Sequence, residues 1–75
     1  MAVRVTLLSR AGCHLCDDAR AVVHSVVGEQ FEELDVDADP RLALRYGEEV
    51  PVVLVDGRQI SYWTIEERRL RAALR

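Results

Sequence analysis

The sequence has no lysine: all ten of its basic residues are arginine, so catalysis by a lysine amine or its Schiff base is excluded. It has no long apolar stretch either. The longest run, Val50 to Val55, is six residues, well short of the ~20 that a membrane helix needs. The amino terminus alternates from Met1 to Thr6, and no apolar segment with a small-residue cleavage site follows. A cytoplasmic protein with no membrane partner is therefore expected, in a compartment where structural disulfides are rare. Prolines number two, glycines four and aromatics 5% of the chain, and no repeat, low-complexity tract or Ser/Gly-rich linker interrupts it. A net charge of −3 argues against a nucleic-acid binder that works by neutralising phosphates. Seventy-five residues make one small domain over residues 1–75, too little chain for two lobes with a cleft between them. Lysine-free, arginine- and alanine-rich usage suggests a GC-rich bacterial genome.

What is present reads as alternating strands and helices. Val3, Val5 and Leu7 alternate with Arg4, Thr6 and Leu8 in a first strand, and Ser9 to Gly12 is a turn. From His14 to Val27, Leu15, Ala19, Val22, Val23, Val26 and Val27 fall at helical spacing, with Gly28 placed to end the helix. Phe31 to Val36 reads as a second strand with Leu34 and Val36 on one face. Asp39-Pro40 predicts an N-cap and a first helical residue for a short helix through Tyr46, which Gly47 terminates. Pro51 opens the strand Val52–Val55, and Asp56-Gly57 turns it into a returning strand, Arg58-Gln59-Ile60. Thr64 and Glu67 form a capping-box pattern before a last helix bearing Leu70, Ala73 and Leu74. The order βαβαββα implies an α/β fold: a four-stranded mixed sheet with three helices on its faces.

The chemistry lies in Cys13-His14-Leu15-Cys16, at the start of the first helix. Residues i and i+3 of a helix lie about 5–5.5 Å apart in Cα separation, inside the window a disulfide accepts. Closing so short a loop stabilises the fold by only about 2 kcal/mol, which suits a bond that is made and broken rather than a staple. The helix N-terminus favours a thiolate at Cys13, helped by Arg10 and by His14 when protonated, and opposed by Asp17 and Asp18. Cys16, a turn deeper, keeps the higher pKa, so Cys13 attacks a disulfide and Cys16 resolves it. The competing readings are a zinc or iron–sulfur site and two unrelated buried cysteines. His24, about 12 Å further along the helix, is too far to share a metal with the pair, so a cluster would need a second chain, and no metal is expected.

With its first strand, the segment Ser9 to Asp17, Val50-Pro51-Val52-Val53-Leu54 and the Asp56-Gly57 hairpin, the sequence resembles the glutaredoxin/thioredoxin superfamily. Cys-His-Leu-Cys-Asp, Asp35 to Pro40 and Arg45-Tyr46-Gly47 make it similar to the small bacterial glutaredoxin-like proteins. The resemblance implies a thioredoxin-like fold of sheet order 2-1-3-4, with a cis Val50–Pro51 bond lying against the dithiol. The Val50 backbone would then offer strand-like hydrogen bonds to a substrate held near Arg10, His14, Leu15 and Pro51. A trans proline that merely starts a strand is the alternative. Arg10 matches the position that contacts a glutathione carboxylate; otherwise it is a solvated surface arginine. Ser61-Tyr62-Trp63-Thr64-Ile65-Glu66 stands where glutaredoxins carry a Gly-Gly pair and a nearby aspartate.

The resemblance thus implies a monomeric thiol–disulfide oxidoreductase with no bound cofactor. Its substrates would be protein or glutathione disulfides, and its electrons would come from glutathione or a disulfide reductase. The alternative is a non-catalytic redox-sensing or protein-binding module. Trp63 is expected to pack between hairpin and last helix, the alternative being that it lines the substrate surface, while Tyr46 is expected to pack at the end of the second helix and His24 to face solvent. The six acids between Glu29 and Asp39 read as a solvated edge.

Overall fold

A computed structural model describes residues 3–75; Met1 and Ala2, which open the amino-terminal alternation, lie outside the described residues. The elements are β1 (Val5–Ser9), α1 (His14–Val27), β2 (Glu32–Asp35), a 3₁₀ turn (Val36–Ala38), α2 (Pro40–Tyr46), β3 (Val52–Val55), β4 (Arg58–Tyr62) and α3 (Glu67–Ala73). The sheet order is β2-β1-β3-β4, with β1 parallel to β2 and antiparallel to β3, and β3 antiparallel to β4. Element order and sheet order are those anticipated from the sequence.

β1 is central, and this sets its burial. All five of its residues are buried, because the sheet is covered on both sides. Val5 and Leu7 pack with Ala19 and Val23 of α1, Val53 and Val55 of β3, and Ile65 and Leu70 from the α3 side. Leu8 points the other way, to Val36, Tyr46 and Val52. Fully burying a side chain such as Leu7 or Leu8 contributes about 1.5–3 kcal/mol, so this strand anchors both halves of the core.

β2 corrects the sequence reading. It ends at Asp35, all four of its residues are exposed, and Leu34 is 39% exposed. Val36 leaves the strand for the 3₁₀ turn and is fully buried, so it does not share a face with Leu34. The turn is capped by Asp35, whose side chain accepts the Asp37 N–H at 2.9 Å; Asp39 caps α2 in the same way through the Arg41 N–H. Pro40 opens α2 as anticipated.

The hairpin turn is built by two left-handed residues, Asp56 (φ 52°) and Gly57 (φ 82°), the type I′ conformation that matches strand twist. Asp56 also exchanges bonds with Arg4, extending the β1–β3 pairing by one step. β4 runs two residues further than expected, to Tyr62, and Ile60 bulges out of register between the Leu54↔Gln59 and Val53↔Ser61 pairs. The capping box does not form. α3 begins at Glu67 behind Glu66, which makes no side-chain cap bond, while the Thr64 carbonyl accepts from the Ser61 hydroxyl. No helix among the described residues is long and apolar enough to cross a membrane.

Candidate active site

The dithiol sits where β1 gives way to α1. The connecting turn needs a left-handed residue, and Gly12 supplies it at φ 76°. Cys13 is the N-cap of α1. Its backbone is extended (φ −98°, ψ 114°), its carbonyl accepts the Asp17 N–H at 3.2 Å, and its sulfur accepts the Cys16 N–H at 3.2 Å. A thiol thus occupies the place usually taken by a serine or aspartate oxygen. Cys13 is half-buried, Cys16 is 1% exposed, and both are free thiols.

Burial pushes the Cys16 thiol up from its ordinary 9.0 to about 11, and its hydrogen bond with Cys13 pushes the same way. The Arg10 backbone N–H and the Arg20 guanidinium pull against that rise. Cys16 is therefore held above the ordinary thiol value, with desolvation as the main cause. His14 and Leu15 are both exposed at the helix start, Leu15 by 46%.

Val50–Pro51 is cis. The β1–β3 register sets Leu8 against Val52. Val50 and the buried Pro51 therefore enter the sheet at the end where Ser9 leaves it toward Cys13. The architecture brings Val50, Pro51, Cys13 and Cys16 to one end of the molecule.

Arg10 lies at the surface, yet its guanidinium is matched within the protein. Its Nε and Nη2 donate to the two carboxylate oxygens of Asp37, at 2.8 and 3.0 Å, and its Nη1 donates to the Gly47 carbonyl at 3.0 Å. The pair holds the Asp37 carboxyl below the usual carboxylate range and raises Arg10. Gly47 makes room for this contact. Its φ of −56° is ordinary, but a Cβ there would run into the Ala43 carbonyl and stand 3.4 Å from Arg10 Nη2.

A second arginine ties α1 to β2. Arg20 donates to Glu33 through Nε and Nη2, at 2.7 and 2.6 Å, and to Asp17 through Nη1 at 2.9 Å. The Arg20 bond keeps the Glu33 carboxyl low against the opposing effect of burial, with help from the Ser9 hydroxyl at 2.7 Å. Asp17 is thus engaged by Arg20 on the same helix. The acidic edge is not simply solvated, since Glu33, Asp37 and Asp39 each pair with an arginine.

Trp63 departs furthest from expectation. It does not fill the space between hairpin and α3: it is 53% exposed, at φ 61°. Its backbone N–H donates to the Pro51 carbonyl at 2.9 Å and the Glu49 carbonyl at 3.2 Å, and its Nε1 donates to the Glu48 carbonyl at 3.0 Å. The ring meets Tyr62 edge-on at 5.1 Å. Tyr46 is buried and His24 exposed, as anticipated. Sequence reasoning missed the roles of Asp37 and Arg20. The signal for Asp37 was its place as the middle acid of Asp35-Val36-Asp37-Ala38-Asp39, whose outer two are local caps.

A family profile described as Glutaredoxin-like domain (DUF836) matches residues 4–75. The chain belongs to the glutaredoxin-like family. It is 42% identical over 77 residues to the uncharacterized protein Rv0508 of Mycobacterium tuberculosis, covering 92% of this chain and 79% of that protein. The X-ray structure of target protein XcR50 from X. campestris superposes with a TM-score of 0.79 at 37% identity, covering 93% of each chain. The holo form of glutaredoxin C1 from Populus tremula x tremuloides gives a TM-score of 0.63 at 25% identity, over 93% of this chain and 77% of that one. This glutaredoxin-like chain therefore has a thioredoxin-like fold, with Cys13 and Cys16 close together at a helix N-terminus.

Proposed function

We propose that the protein is a thiol–disulfide oxidoreductase, with Cys13 as nucleophile and Cys16 as resolving thiol. One observation carries the reading: the Cys13 sulfur caps α1 and accepts the Cys16 N–H at 3.2 Å, with Cys16 buried one turn behind it. An amide aimed at the sulfur meets negative charge that develops there during exchange.

In the first step the Cys13 thiolate attacks one sulfur of a substrate disulfide. A Cys13–substrate bond forms, the substrate S–S bond breaks, and the other half leaves as a thiolate that takes a proton from water. Cys16 then loses its proton and attacks the Cys13 sulfur. The second half leaves as a thiolate and Cys13–Cys16 closes as a disulfide, so two electrons have passed to the substrate. Two thiols of glutathione, or the dithiol of a reductase, restore the starting state. No bound cofactor is required, since either glutathione as co-substrate or a reductase supplies the electrons. The protein acts as a cytoplasmic monomer on protein or glutathione disulfides, with substrate held by His14, Leu15, Val50 and Pro51 and flanked by Arg10, whose guanidinium is paired with Asp37.

Reduction of insulin or hydroxyethyl disulfide tests the proposal. Cys13→Ser abolishes turnover and Cys16→Ser accumulates mixed disulfide; an absence of cysteine-dependent turnover with any reductant overturns it. The exposed side chains of Leu15, Tyr62 and Trp63 favour a second reading, a redox-sensing binding module. Partner capture that depends on oxidation state, with turnover near background, selects that one.

A further inference from the structure

Trp63 adopts a left-handed backbone conformation that only glycine takes without penalty, and three hydrogen bonds lock it there. The result is an indole left half in water, so burial of apolar surface does not account for the strain. Trp63 instead lines a cavity of about 170 Å³ that Leu15, from the Cys13–Cys16 segment, also lines. Leu15, Ala19, Val22, Thr64 and Ile65 complete the lining together with the carboxylate-bearing Asp18.

We infer that this cavity is an anchor site for polypeptide substrates, taking one apolar side chain next to the substrate's cysteine, with a basic residue flanking it. The inference rests on the oxidoreductase reading and names its substrate class. Pockets for drug-sized molecules run to ~300–1,000 Å³, so 170 Å³ accommodates a single side chain rather than a whole small ligand. Leu15 belongs both to the Cys13–Cys16 loop and to the cavity wall, so a filled anchor brings the neighbouring substrate sulfur to Cys13. A rigid, half-exposed tryptophan at the edge of an apolar pocket is the composition of a binding hot spot.

Charge selects the same partner. Asp18 is the one charged residue that lines the cavity, while Glu48 and Glu49, whose carbonyls hold Trp63, share their surroundings with Arg45. The two arginines nearest the dithiol are already matched: Arg10 by Asp37 and the Gly47 carbonyl, Arg20 by Glu33 and Asp17. Arg69, beyond Tyr62 and Trp63, shares its surroundings with Glu66. An anionic tripeptide such as glutathione therefore meets the Asp18 carboxylate with no free cation in the lining, whereas a cationic peptide finds a complementary charge.

Two measurements test the inference. Trp63 is the only tryptophan, so its emission reports occupancy of the cavity directly. A Cys13→Ser/Cys16→Ser protein is titrated with a short Arg-Cys-Leu peptide whose cysteine is S-methylated; a saturable change in emission is expected, and a weaker one with a Glu-Cys-Ser peptide. In turnover, the ratio of kcat/KM for the Arg-Cys-Leu mixed disulfide to that for glutathione disulfide falls about thirtyfold in Trp63→Gly. Leu15→Ser, an exposed change that leaves the core intact, lowers the ratio in the same direction. Asp18→Arg cuts the preference for the arginine peptide over the glutamate one about two- to fivefold.

Flat emission together with an unchanged ratio in folded Leu15→Ser overturns the inference while leaving the oxidoreductase reading intact. A saturable, peptide-selective emission change without turnover of any disulfide upholds the anchor site and overturns the activity.

Discussion

Asp37 holds the Arg10 guanidinium by two edges, Nε to Oδ2 at 2.8 Å and Nη2 to Oδ1 at 3.0 Å. The cation that follows β1 is thereby spent inside the protein. Asp37→Asn keeps the shape and removes the charge, freeing Arg10 for an anionic ligand. The KM for glutathione disulfide should fall about two- to fivefold in this variant. Because the Asp37 carboxyl is held below its ordinary range, the pair persists through neutral and mildly acid solution and loosens only as pH falls through that lowered value. An unchanged KM would show that Arg10 does not reach the ligand.

Cys16 should make stability fall at alkaline pH. Its folded value of about 11 lies above the ordinary 9.0, so the unfolded chain releases the proton first. The neutral thiol's contribution is complete below pH 9 and is lost as pH rises toward 11, by about 3 kcal/mol. Urea unfolding of wild type and Cys16→Ser at several pH values isolates it. The difference between them should shrink across that window and stay constant below it.

Glu33→Gln removes the charge that Arg20 grips. At neutral pH the loss should be below about 1 kcal/mol, since the Arg20 side chain is 43% exposed. The wild-type carboxyl is depressed, so its contribution is present at neutral pH and disappears as pH falls through the lowered value. Wild type and variant should therefore converge in stability in acid, as followed by thermal melts from pH 7 downward.

Leu70 is fully buried where α3 meets the sheet. Leu70→Ala should destabilise the protein by about 2–5 kcal/mol. Folded domains have only ~5–15 kcal/mol in hand, so the loss should show as a large drop in Tm.

Features written locally were legible in the sequence. The bounds of α1 were read correctly because its apolar stripe ends at Gly28, whose φ is 66°. Asp56-Gly57 announced the hairpin, and the spacing of Cys13 and Cys16 announced their proximity. What failed depended on distant partners. Glu32-Glu33-Leu34-Asp35 has a strand's composition, but only the strand order reveals that it lies at the sheet's edge with every residue exposed. Arg10 and Asp37 are 27 residues apart, so nothing local paired them. Thr64 and Glu67 have capping-box spacing, but the three hydrogen bonds on Trp63 fix the preceding chain and α3 starts later.

The extra residue at Ile60 works as a spacer in a measuring rod. It advances the far end of β4 by one position, so Tyr62 comes level with Val52 and the Trp63 amide meets the Pro51 carbonyl. Shortening the hairpin by that single residue would put the indole out of phase with the cis-proline while the turn at Asp56-Gly57 stayed whole. A reach from the turn to the dithiol is therefore encoded as a count of residues, with no contact between the two ends.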